Sequence, residues 1–161
     1  MASGRHAVYK RLPRDHAIDT TSDFETLSEV SRFVARFEDG TLPRERWNHP
    51  AHLTVAAWYL LQHDEAEATR RIVSGIQRYN RKNCIPVTPT GGYHETLTLF
   101  WIAIVRDRLR STEGERALLR VRDVLAAFGQ HAGLFREYYS DERLFSAEAR
   151  ASWVEPDRQA L

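Results

Sequence analysis

A single cysteine, Cys84, means that no disulfide can form within this chain. No apolar run approaches the roughly 20 residues that a membrane-spanning helix needs. An excess of either charge is also missing. Lys and Arg number 23 against 22 Asp and Glu, a formal net charge of +1, so no global field recruits nucleic acid or an anionic membrane surface. The stretch Met1–Thr21 has basic residues but neither the apolar core of a secretory signal nor any periodicity, and it reads as a mobile arm. Without a signal segment or disulfides, the expected compartment is the reducing cytoplasm. There is no internal repeat, glycine-rich phosphate loop, zinc-finger spacing or zincin motif.

What is present fits one helical domain over residues 22–161. Apolar residues make up 42% and charged residues 28% of the 161, ordinary values for a globular chain. The pattern predicts an all-α, up-and-down bundle of about five helices with a packed, irregularly helical C-terminal tail. Ser22 with Glu25 three residues on forms a capping-box pattern, and Phe24, Leu27, Val30, Val34 and Phe37 follow at helical spacing as far as Gly40. Pro50 suits the first turn of a second helix, about Pro50 to His63, which is apolar on nearly every side and therefore buried. A third helix, about Asp64 to Asn80, carries an Ile72, Val73, Ile76 and Tyr79 stripe, and Gly75 weakens it by about 1 kcal/mol relative to Ala. A long loop with Pro86, Pro89, Gly91 and Gly92 follows. The fourth helix, about Tyr93 to Arg110, is again apolar all round. The fifth is expected to begin at a second capping box, Thr112 with Glu115, and to stop at Gly129. Aromatic residues from Phe135 to Trp153 predict a tail packed on the body.

Helices joined by short loops alternate in direction. The starts of helices two and four, and the ends of helices one, three and five, then share one end of the bundle. That end collects Trp47, His49 and His52, then Tyr79 and Asn80, then Tyr93, His94 and Glu95, and finally His131. Polar, titratable residues at the head of two buried helices are costly unless they have a use.

Each residue also has a structural reading. His49 and His52 can be a helix cap and a core histidine, and on this pair alone that is the stronger reading. Glu95 suits a helix start by its charge. His94 has no such excuse, and Thr98 lies one turn further on the same face. Three imidazoles and a carboxylate are ligands for iron, zinc or manganese. The leading expectation is therefore a small metalloenzyme acting on a small-molecule substrate. His49, His52 and His94 would hold a divalent transition metal, with His94 and Glu95 catalytic and Trp47, Tyr79, Asn80 and Tyr93 binding substrate. Two alternatives stand beside it. Helix N-termini favour anions, which suggests a metal-free pocket using histidine acid/base catalysis on an anionic small molecule. The other is a non-enzymatic binding or interaction module. Arg44 and Arg46 flank the site, Arg78, Arg81 and Lys82 form a small basic run, and Cys84 lies in the adjacent loop. No nucleic-acid or membrane partner is expected, and the sequence leaves the oligomeric state open.

Overall fold

The structure, a computed structural model, describes residues 24–161. The expected arm at 1–21 and the expected cap Ser22 lie outside the described residues. Five long helices, α1 (Leu27–Glu38), α2 (His49–Gln62), α3 (Glu65–Lys82), α4 (Glu95–Ser111) and α5 (Ala117–Phe128), are followed by three short ones. These are α6 (Phe135–Tyr138), α7 (Asp141–Leu144) and α8 (Ala147–Ala151). No strand forms among the described residues; Thr88 and Gly91 make an isolated antiparallel bridge within the long loop.

The first helix starts later than the Ser22 pattern suggests. The same Ser/Thr-x-x-Glu pattern recurs at Thr26 and Glu29, and this second copy makes the capping box. Phe24 packs edge-to-face on Phe33, so the chain meets the core before the helix begins. Val30, Phe33, Val34 and Phe37 form the buried stripe, whereas Leu27 is exposed. Asn48 caps α2, its side chain accepting from the Ala51 N–H at 3.2 Å. Asp64 does the same for α3 at the Glu67 N–H.

The second correction concerns α5. Thr112 and Glu115 do not form a capping box. Thr112 instead closes α4, its hydroxyl donating to the Leu109 carbonyl at 3.2 Å, and α5 begins at Ala117 without a side-chain cap. A threonine hydroxyl can bond backward or forward, and here the last carbonyls of α4 claim it. Gly129 ends α5 as expected.

α2 lies at the centre, packed against α1, α3, α4 and α5. Leu53, Val55 and Ala57 on it are fully buried, which explains its apolar character on all sides. Gly75 has a packing purpose: a Cβ there would stand 2.9 Å from Cε1 of the buried Phe37 ring. α4 and α5 are joined by a two-pronged Arg108–Asp123 contact at 2.6 and 2.8 Å. The basic run is also structural. Arg78 and Lys82 donate to the Glu38 and Asp39 carbonyls at the end of α1, where a helix welcomes cations.

The tail packs as its aromatic content predicts, with Phe135, Tyr139, Leu144 and Val154 all buried. α8 lies against α4. The Thr96 hydroxyl donates to the Ser152 carbonyl at 2.7 Å and accepts the Val154 N–H at 3.1 Å, fixing the tail across the start of α4.

Candidate functional site

The end of the bundle singled out by the alternation of helix directions holds a cavity of about 470 Å³. Four segments build it. Residues 49, 52 and 56 of α2 are spaced so that one helix face lines it. Ile72, Ile76 and Asn80 of α3 repeat every four residues and form a second wall. Leu97, Thr98 and Trp101 of α4 form a third. Trp47, Ile85 and Tyr93 close it from the loops, with exposed Arg44 at the rim.

Six of the eight residues expected at the site line this cavity: Trp47, His49, His52, Asn80, Tyr93 and His94. Two do not. Tyr79 is fully buried beside α1, stacked on Phe37 with its ring centroid 5.7 Å away, and its hydroxyl donates to the Leu42 carbonyl at 2.8 Å. It lies about 100° round the helix from Asn80 and about 60° from Ile76, on the edge of the lining face nearer α1. Glu95 stands in the same relation to His94. Its carboxylate accepts the Tyr93 hydroxyl at 2.6 Å, and the carboxylate is no part of the cavity wall. His131 is exposed, with Nδ1 at 3.0 Å from the Ala127 carbonyl, and only its neighbour Ala132 reaches the cavity. Arg46 lies over the Phe33 ring, and Cys84 is exposed outside the lining with φ 52°.

The three cavity histidines differ sharply in their hydrogen bonds. His94 is the N-cap of α4, a use that the sequence reading did not credit. Its Nδ1 accepts the Leu97 N–H at 3.3 Å and its Nε2 donates to the Leu144 carbonyl at 2.9 Å. Both nitrogens are spent, and the partners settle the tautomer. His49 donates from Nε2 to the Phe128 carbonyl at 3.0 Å, at the end of α5. The His52 imidazole makes no hydrogen bond among the described residues, and it stacks on Trp47 with centroids 3.9 Å apart. Among the described residues no three His, Cys, Asp or Glu side chains gather in an arrangement that could hold a metal ion.

Burial governs the electrostatics. Desolvation and, secondarily, the neighbouring His49 push the His52 pKa down to about 4. His49 and His94 are lowered by the same desolvation, opposed by their bonds to the Phe128 and Leu144 carbonyls. All three imidazoles are neutral at pH 7. Tyr93 is pushed up by desolvation and then by its bond to Glu95, so it stays a phenol. Asn80 is buried, and its Oδ1 has no hydrogen-bond partner.

Three contributors carried weaker sequence signals or none. Trp101 is hidden in an unbroken apolar run. Asn48 does have a signal, since an Asn two residues before a Pro fits a capped helix start. Arg150 has none. From α8 it donates to the carbonyls of Pro89, Gly91 and Tyr93 at 2.8, 3.2 and 3.0 Å, pinning the loop that closes the cavity. Gly92 lets that loop fold tightly, with φ 80° and room for no Cβ beside the Pro86 carbonyl.

Compared with protein-family models, curated proteins and solved structures, the chain has no significant match.

Proposed function

We propose that this protein binds a small molecule in the cavity and acts on it by acid/base chemistry through His52, without ligating a metal there. The observation that carries the reading is His52 itself: a half-buried, neutral imidazole on the cavity wall whose ring nitrogens have no hydrogen-bond partner among the described residues. With a pKa of about 4 it has the proton affinity of a carboxylate without the charge. Such a base can accept a proton from a bound O–H or N–H and, once protonated, return it readily. A cavity of about 470 Å³ lies within the usual range for small-ligand sites.

The three-histidine metal centre is the weaker reading because of the nitrogens it needs. His94 would have to abandon both the Leu97 N–H and the Leu144 carbonyl to become a ligand. The anionic-substrate form also loses support, since the helix starts that favoured it are already capped at the Ala51 and Leu97 N–H groups.

The test is elemental analysis of untagged protein, wild type beside His94→Ala, together with nitrogen-15 spectra of the histidine rings. The expected result is less than stoichiometric metal in both proteins and a His52 ring that stays neutral to about pH 4. Near-stoichiometric metal in the wild type, lost in His94→Ala, would return the site to the metalloenzyme reading.

A further inference from the structure

Several hydrogen-bonding groups of the cavity wall have no partner among the described residues. The Phe128 carbonyl can only accept, so the proton of neutral His49 sits on Nε2 and Nδ1 keeps a bare lone pair. Tyr93 spends its hydroxyl proton on Glu95, and its oxygen is within reach of the Thr98 and Gln77 side-chain donors. His52 contributes one N–H and one lone pair, both unpartnered among the described residues. Asn80 contributes an amide whose Oδ1 lacks a donor. Three acceptors on the wall, His49 Nδ1, one His52 nitrogen and the buried Asn80 Oδ1, therefore stand without a donor among the described residues.

Charge is nearly absent from the same wall. Among the described residues no Asp or Glu lines the cavity. Several helix-start N–H groups that would attract an anion are taken: Asn48 holds those of Ala51 and His52, and His94 those of Leu97 and Thr98. Pro50 has none to offer. Arg44, the single charged side chain of the lining among the described residues, is exposed at the rim. The surfaces that remain are flat rings: Trp47 against His52, and Trp101 against His49 at 4.4 Å.

We infer that the ligand of this cavity is an uncharged aromatic molecule carrying at least one O–H or N–H donor. The inference rests on the small-molecule reading above and specifies its substrate class. A ligand ring can pack on the cavity-facing side of these stacked pairs. Its donor meets one of the open acceptors, and a charge buried there would find no counter-charge.

Four one-ring probes separate the terms: phenol, anisole, benzoate and benzylammonium. Each is titrated into the full chain at pH 7 while the indole N–H signals of Trp47 and Trp101 are followed. Phenol is expected to bind about tenfold more tightly than anisole, which lacks the donor, and at least about tenfold more tightly than either ion. Equal binding of anisole and phenol would overturn the donor requirement. Tighter binding of benzoate or benzylammonium would overturn the uncharged class while leaving a small-molecule site in place. Failure of all four to move either indole signal would sink the small-molecule reading itself, and this inference with it.

Asn80→Leu supplies a second readout. Replacing the unpartnered amide with an apolar side chain of similar volume should raise the melting temperature and weaken phenol binding about tenfold. A purely structural Asn80 would move both quantities otherwise. A lower melting temperature with unchanged phenol affinity would remove Asn80 from the site.

Discussion

His94→Ala separates a structural histidine from a reactive one, and its cost can be worked from the geometry. Two hydrogen bonds disappear. The Leu97 N–H loses its cap acceptor at 3.3 Å, a loss of typically about 1 kcal/mol. The Leu144 carbonyl, on a fully buried residue, loses its donor at 2.9 Å and is left unpaired, at about 1–3 kcal/mol. The expected destabilisation is about 2–4 kcal/mol, or a fall in Tm of roughly 4–16 °C for a chain of this size. Urea unfolding followed by tryptophan fluorescence measures it, with an unchanged m-value marking a true stability effect. His94→Asn should recover about 1 kcal/mol, because Asn is a good N-cap acceptor but cannot also reach Leu144. A His94→Ala protein within about 0.5 kcal/mol of wild type would refute the reasoning, since surface-like substitutions alone stay in that range.

Two further predictions concern the histidines as a set and the loop. The folded state holds His52 at a pKa of about 4 against an unfolded value of 6.5, so the unfolded chain binds the proton first. His52 thus gives its full stability above pH 6.5 and loses up to about 3 kcal/mol of it as the pH falls to 4. His49 and His94 act in the same direction. Stability against pH for wild type and His52→Gln should diverge across that window, and parallel curves would show that the imidazole is not desolvated. Arg150→Ala removes the three bonds to the loop carbonyls. Hydrogen exchange at residues 86–93 should quicken at least about tenfold while global stability falls by only about 1–2 kcal/mol. Arg150→Lys should not restore protection, because an ammonium cannot fork across several carbonyls. Unchanged exchange in Arg150→Ala would show that the clamp does not hold the loop.

How far the sequence disclosed this molecule depended on the range of each interaction. Local chemistry was legible: the apolar girth of α2 and α4, Gly129 as a stop, and the alternation that gathers six of the eight expected residues round one cavity. Tyr79 and Glu95 were placed by element when their side-chain partners decide otherwise. Tyr79 stacks on Phe37 and bonds the Leu42 carbonyl, and Glu95 is held by the Tyr93 hydroxyl. Capping patterns were readable but ambiguous. Two consecutive Ser/Thr-x-x-Glu patterns occur near α1, and the Thr112 hydroxyl bonds backward instead of forward. What no local pattern carries is the role of the tail. His94 meets Leu144 and Arg150 meets Pro89 across separations of 50 and 61 residues. Without those partners, His94 looks like a spare ligand.

The strap that the tail draws across the start of α4 also sets an order of assembly. The helices that wall the cavity, and all its aromatic faces, are contained in residues up to 128. The pins that shape its mouth come from Leu144, Arg150, Ser152 and Val154. A growing polypeptide can therefore collapse its bundle long before it owns a finished opening. Binding competence should arrive as a late step of its own, with a rate set by closing a loop of some 50–60 residues and separable from the formation of helix.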